Sequence, residues 1–384
     1  MPANLPLPSA DALTHSAQLC ELIRRDIRSQ NGWIPFSRFM ELALYAPGLG
    51  YYTAGAHKFG AAGDFITAPE LSVLFGRTLA RQLAEVMQLS TPHILELGAG
   101  SGKLALDILG ELERRDALPE SYAILEVSAD LRERQRILLL EKLPHLFGRI
   151  HWLDALPERI SGAVIGNEVL DALPVHLLHW TQGHLLERGV SAEGTRFVWQ
   201  QRLSENTPLL DTARNISVPD DYMSEISLAA RGLVASLCGR MNNGAMIFID
   251  YGFGAREYYH PQRTSGTLMC HYRHHSHNDP FYLPGLQDIT AHVDFTAIAE
   301  IAIDHGAHLL GYTSQAHFLL NNGALDYLKE VSPEDVRAYA PLSAQLQKLT
   351  SPAEMGELFK VIALGKGLEE PLSGFLHGNL SRQL

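Results

Sequence analysis

Between residues 9 and 29 the apolar positions Leu13, Ala17, Cys20, Ile23 and Ile27 recur at three-to-four spacing. That period predicts an amphipathic helix stopped by Asn31-Gly32. A second short helix is predicted from Ser37 to Leu44, ahead of the turn residues APGLG. From Tyr45 to Ile66 no period survives, and the stretch is rich in Gly, Tyr and Phe. Thr67 as a cap, Pro69 in the first turn and Glu70 beside it then predict a helix carrying Leu74, Leu79, Leu83 and Val86.

From residue 93 short apolar runs alternate with helical ones. HILEL reads as a strand, GKLALDILGELERR as a helix, YAILEV as a strand and ADLRERQRILLLEKL as a helix; RIHWL and AVIGN are two more strands. Strands separated by helices of this length predict a parallel, doubly wound α/β sheet whose strands are apolar because both faces are covered. Residues 175 to 202 (VHLLHW, HLLERGV, RFVWQQRL) alternate differently and predict an inserted antiparallel excursion. A helix from about Tyr222 to Leu237 is expected to lead into the buried strand GAMIFIDYGFG. The segment 255 to 292 is polar; helices near 293–305 and 333–348 and a strand, FKVIAL, follow it. With no repeat and no low-complexity linker, the parts are expected to share one body.

Composition narrows the partners. A formal net charge of -12 argues against non-specific affinity for nucleic acid or an anionic membrane, and mildly favours a cationic substrate. The three cysteines, Cys20, Cys238 and Cys270, have no CxxC spacing, which suits a reducing compartment and offers no disulfide or metal framework. The N-terminal residues lack the basic-then-apolar order of a secretory signal, and no stretch is long and apolar enough for a membrane span. The expected location is the cytoplasm.

Glu96-Leu97-Gly98-Ala99-Gly100-Ser101-Gly102 lies where a strand hands over to a helix, so a ligand's polar end can meet the helix N-terminus. A dinucleotide loop reads GxGxxG and faces a pyrophosphate. Here the spacing is GxGxG, and Glu96 stands two residues before the first glycine, where it would repel a pyrophosphate and attract an ammonium and a sulfonium. The pattern favours S-adenosylmethionine. Glu126, at the end of the second strand, can accept ribose hydroxyls. Asp154, ending the third, can flank an adenine edge. Ordinary strand-end polarity is the competing reading of both acids.

The fourth strand ends in Asn167-Glu168-Val169-Leu170-Asp171, an amide and two carboxylates near Pro174. In open wound sheets ligands sit beyond the carboxyl ends of the strands, so these acids can bind a cation and take up its proton. A turn of solvated acids is the alternative. Asp250 ends a later strand at the same edge, and Asp288 and His292 either project inward or belong to a capped helix start. HYRHHSH (271–277) clusters four histidines without ligands from a second element, so it reads as a polar loop carrying one or two functional histidines and not as a metal site. Neither a G-x-S-x-G elbow nor a Walker loop is present, which removes support for acyl and phosphoryl transfer.

Together these stretches resemble the MidA-type methyltransferases, whose mitochondrial member methylates an arginine of a respiratory complex I subunit. The similarity is carried by LYAPGLGYY (44–52), FGAAGDFITAPELSVLFG (59–76), ELGAGSGKLALDIL (96–109), LEVSADLRERQ (125–135) and GNEVLDALPV (166–175). FIDYGFG (248–254), GTLMCHYRHH (266–275), LPGLQDITAHVDF (283–295) and TSQAHFLL (313–320) continue it. Ala99 and Ser101 replace the family's usual proline and arginine, which leaves Glu96 and the glycines in place.

The resemblance implies a Rossmann-like class I methyltransferase sheet with an N-terminal helical and lid segment over 1–90. The cofactor-binding core would span 91–320, with insertions around 175–220 and 255–292, and residues 321–384 would pack on it. Glu96, Gly98, Gly100, Gly102, Glu126 and Asp154 are the expected cofactor residues. Asp64 and Thr67 join them as parts of a flap, GAAGDFITAPEL, closing over the ligand. Asn167, Glu168, Asp171, Asp288 and His292 are the expected catalytic residues, with Glu168 and Asp171 gripping a guanidinium that keeps its proton. The expected substrate is a protein arginine, on a respiratory-chain subunit. A small-molecule or other-residue methyltransferase, and a non-catalytic assembly chaperone that binds the cofactor, are the other readings.

Overall fold

The computed structural model describes residues 5–54 and 67–384; Asp64 and most of GAAGDFITAPEL lie outside them. The chain divides into two units that interleave along the sequence. One comprises Ile66–Leu170, Leu233–Gly254 and Val293–Leu384; the other comprises Met1–Phe65, Asp171–Gly232 and Ala255–His292.

The first of these, the sheet unit, is built on strands numbered here in chain order. They are β1 (His93–Leu97), β2 (Ser121–Leu125), β3 (Ile150–Leu153), β4 (Ile160–Asn167), β5 (Met241–Phe253), β6 (His308–Ser314) and β7 (Phe359–Lys366). Their spatial order is β6-β7-β5-β4-β1-β2-β3. The five strands from β5 to β3 run parallel, as the alternation of apolar strands and helices requires. The antiparallel β7 inserts between β5 and β6. Strand order reverses between β1 and β4, and a wound sheet opens its ligand crevice at such a point.

β4 and β7 are buried along nearly their whole length, in keeping with cover on both faces. β4 and β5 start side by side only because of Gly244, whose φ is 139°. A Cβ there would stand 1.9 Å from the Gly162 carbonyl oxygen. Ile108, Leu112, Ile124, Ile165, Ile247, Phe318 and Val361 are among the residues of the core, to which helices Val73–Leu89 and Lys103–Arg114 contribute.

The second unit carries an antiparallel sheet in the order Ile34–Pro35, His184–Glu193, His176–Thr181 and Tyr222–Ile226, with Arg196–Leu203 paired to His184–Glu193. The excursion foreseen over 175–202 is therefore a sheet of its own, extended at both edges by segments distant in sequence. Helices Ala10–Ser29 and Phe36–Tyr45 supply Leu19, Ile23, Phe36 and Phe39 to its core. Phe36 meets Trp199 at 5.2 Å and Phe39 meets Phe281 at 5.3 Å, both within the range of favourable aromatic pairs.

Three expectations need correction. Tyr222–Ile226 is a strand, because pairing along His176–Trp180 outweighs its local helical pattern; the helix begins at Leu228. The helix expected to open at Thr67 is two helices, Ala68–Leu71 and Val73–Leu89. Ser72 is extended between them and its hydroxyl caps the second, whereas Thr67 makes no side-chain cap bond. The histidine-rich loop is a hairpin: Met269–Tyr272 pairs with His275–His277 around Arg273 and His274, both at positive φ.

Candidate active site

The carboxyl edge of the sheet unit gathers most of the residues singled out above. Gly98, Gly100 and Gly102 all have positive φ, between 53° and 86°, which side-chain-bearing residues adopt at a cost. Their surroundings differ. A Cβ on Gly102 would lie 3.2 Å from Gln135, so that glycine serves packing against the helix Ala129–Lys142. A Cβ on Gly100 would meet no described atom within 4 Å, so the loop leaves space there that a ligand can fill. The helix Lys103–Arg114 starts immediately after the loop and directs its N-terminal N–H groups toward it. Ser101 donates a hydrogen bond to Glu70, which ties the end of the TAPEL segment to the glycine loop.

Glu96 is 1% exposed and accepts a hydrogen bond from the Tyr122 hydroxyl at 2.8 Å. Burial pushes its carboxyl up to about 7; the Tyr122 bond opposes that and the Glu126 charge adds to it. Glu126 follows the last residue of β2 and is also buried. Burial raises its pKa, against the N–H groups of Ser128 and Val127 and the amide of Gln135. Gln135 spans the site: its Nε2 donates to the Gly100 carbonyl at 2.8 Å and to Glu126 at 3.2 Å. A carboxylate offers about four lone-pair sites, so Glu126 retains acceptor capacity for a ligand hydroxyl. Val127 beside it is 67% exposed, an apolar surface between two buried polar residues.

Asp154 is exposed and held by Arg132 at 2.6 Å. Arg132 also donates to the carbonyls of Glu126 and Leu153, fastening the end of β2 to the end of β3. Open space at Gly100, a buried acceptor at Glu126 and an exposed apolar surface at Val127 fit a nucleoside with a charged tail.

At the end of β4, Asn167 donates through Nδ2 to Glu168 at 3.2 Å, while its Oδ1 is buried without a partner among the described residues. Glu168 has a φ of 52°, unusual for a residue with a side chain. Its N–H donates to the Ile249 carbonyl at 2.9 Å. The next two N–H groups, of Val169 and Leu170, donate to Asp250 at 3.2 and 2.9 Å.

Asp171, Asp288 and His292 belong to the other unit. There the Tyr52 hydroxyl donates to Asp288 at 2.9 Å. Tyr45 and Tyr51 pack on the Tyr52 ring at 5.5 and 5.0 Å. Burial drives the Tyr52 pKa well up, and the charges of Asp288 and Asp171 push the same way. The backbone of Asp171 accepts the Ala291 N–H at 3.0 Å. His292 takes its place through an N–H bond to Thr267, and the helix start nearby is capped by Asp294, not by Thr290 or His292. Burial, then the neighbouring His277, lowers the His271 pKa to about 4, so its ring is neutral at physiological pH. Among the described residues no group of three or more His, Cys, Asp or Glu is placed to hold a metal ion.

Sequence reasoning did not single out Tyr122, Arg132, Gln135, Tyr52 or Val127. Only the helical spacing of Arg132 and Gln135, three apart behind Glu126, carries a local signal.

Comparison with known proteins places the chain in a family. Residues 78–313 match a family model for S-adenosyl-L-methionine-dependent methyltransferases. The chain is 30% identical to protein arginine methyltransferase NDUFAF7, mitochondrial, of Danio rerio, covering 87% of this chain and 83% of that one. It is 29% identical to the Drosophila melanogaster NDUFAF7 homolog, over 96% of this chain and 89% of that protein. A Burkholderia thailandensis protein crystallised with S-adenosyl-homocysteine superposes with a TM-score of 0.95 at 49% identity, covering 99% of this chain and all of that one. The chain belongs to the S-adenosyl-L-methionine-dependent methyltransferase family.

Proposed function

We propose that this methyltransferase transfers its methyl group to an arginine side chain of a protein. The observation that carries the proposal is the end of β4. There the buried carbonyl oxygen of Asn167, which has no partner among the described residues, and the carboxylate of Glu168 stand together as acceptors at the edge that holds the glycine loop. A guanidinium is the complement of such a pair, being a permanent cation with N–H donors and no acceptor. The relatives from Danio rerio and Drosophila melanogaster are named protein arginine methyltransferases, which supports the same reading.

Bound S-adenosylmethionine supplies an electrophilic methyl on a sulfonium that departs as a neutral thioether. In the proposed reaction Asn167 and Glu168 orient the guanidinium so that one nitrogen meets that methyl, a positioning effect. Methylation leaves the guanidinium with its single positive charge and releases one proton, which Glu168 would accept. Glu96 and Glu126 would receive the cofactor's cationic and ribose ends. The recipient would be a respiratory-chain subunit and the site of action the cytoplasm; motif resemblance supports the first, and the free cysteines Cys20, Cys238 and Cys270 support a reducing compartment.

Purified protein incubated with methyl-labelled S-adenosylmethionine and a lysate lacking the gene product should label a protein arginine, located by mass spectrometry. Label on lysine or on a metabolite would overturn the arginine assignment. Cofactor binding without any label would favour an assembly chaperone.

A further inference from the structure

We propose that Asp250 is a positioning residue that holds the Glu168 turn in its reactive conformation. The inference rests on the reading of Glu168 as the substrate-facing acid.

Asp250 is 1% exposed and lies near the end of β5. Its carboxylate accepts three backbone N–H groups. Oδ2 takes those of Val169 and Leu170, and Oδ1 takes that of Tyr251 at 3.0 Å. With the Ile249 carbonyl accepting the Glu168 N–H, the end of β5 grips three consecutive residues after β4. Glu168 sits inside that grip at positive φ. Such a conformation persists only where the surroundings over-determine it. The N–H bonds of Val169 and Leu170 to one buried carboxylate, with that of Glu168 to the Ile249 carbonyl, supply that constraint.

A second contact extends the tether. Gly98 lies close enough to Val169 that an added Cβ would stand 3.4 Å from its Cγ2. The turn held by Asp250 therefore also backs the first glycine of the cofactor loop. Asp250 accordingly acts on the acid that faces substrate, and the glycine loop only packs beside the turn it holds. The strand-end sequence IFIDYG supplies the acid where a buried strand would ordinarily carry an apolar residue.

Asp250→Asn keeps one oxygen acceptor but presents an amide N–H₂ to a backbone donor, so the grip loosens while size is kept. Turnover would be read as label transferred from methyl-tritiated S-adenosylmethionine into protein of the lysate lacking the gene product, whichever residue receives it. A wrong arginine assignment then leaves the comparison intact. Binding would be read by calorimetry with S-adenosyl-homocysteine.

The expected result is a fall in kcat of at least ~10-fold, with S-adenosyl-homocysteine affinity changed by less than ~3-fold and partial recovery in Asp250→Glu. In a Glu168→Gly background, which tolerates positive φ and lacks the acid, Asp250→Asn should add little further loss, because the two changes act on one unit. A full, additive loss in that background would overturn the proposal, as would an unchanged kcat in the single variant. Loss of S-adenosyl-homocysteine binding in both Asp250 variants would overturn it too, since Asp250 would then be supporting the fold.

Discussion

Glu96 shows how a single residue ties this site to stability. Its ordinary carboxyl pKa of 4.5 is raised to about 7 in the folded chain, chiefly by burial. The folded state therefore holds a proton that the unfolded state has lost, and stability falls as pH climbs from about 4.5 to about 7. The span corresponds to roughly 3 kcal/mol, at about 1.4 kcal/mol per pH unit. Glu96→Gln, which keeps an acceptor for Tyr122, should remove that slope. Urea unfolding of both proteins at pH 5 and pH 8 checks it: the variant should gain roughly 3 kcal/mol relative to wild type at the higher pH. A difference that does not change with pH would refute the assignment. The glycine loop and the acid before it were legible at this scale because each is a contiguous pattern. The partner of Glu96 was not, because Tyr122 comes from the neighbouring strand.

Among elements, the helices Val73–Leu89 and Lys103–Arg114 and the 3-10 turn Ala324–Glu330 converge on one buried acid. Glu111 accepts from Arg77 at 2.8 Å, Arg114 at 2.7 Å, Arg115 at 2.9 Å and Tyr327 at 2.9 Å. Burial raises its pKa, but the Arg77, Arg114 and Tyr327 bonds outweigh that and bring it down to about 2. Here the sign reverses: stability is present above about 4.5 and lost as pH falls toward 2. Glu111→Gln should flatten the acid limb of the unfolding curve between pH 4.5 and pH 2 while lowering stability at neutral pH by about 3 kcal/mol. Thermal scans across that range would show it, and an acid limb as steep as that of wild type would count against it. Element periods told helix from strand wherever both packing faces were local, as in Ala10–Ser29 and β1. They misled at Tyr222–Ile226, where a partner strand over forty residues away sets the conformation, and at Ser72, where one hydroxyl cap divides two helices.

For the whole molecule, cofactor binding and folding are linked. S-adenosyl-homocysteine at a hundredfold excess over its Kd should stabilise the protein by about 2.7 kcal/mol. Glu126→Ala should abolish most of that gain. It should also lower the stability of the unliganded protein by about 1–3 kcal/mol, because Gln135 and Ser128 lose a buried acceptor. Thermal shift with and without ligand separates the two effects, and an undiminished ligand shift in the variant would remove Glu126 from the cofactor site.

The wound sheet, its glycine loop and the acids at its strand ends follow from residues near one another in sequence. Periodicity, turn chemistry and charge act over a few positions, so these features could be read directly from the chain. The antiparallel strands within 176–203 were legible as well, but not their union with Ile34–Pro35 and Tyr222–Ile226 into one sheet, because strand pairing joins segments that no local period connects. Nor could the grip of Asp250 on the Glu168 turn or the bridge of Gln135 from Gly100 to Glu126 be read from the chain. A buried carboxylate must find N–H donors wherever folding brings them, and that search is settled by the packing of strands and helices in space.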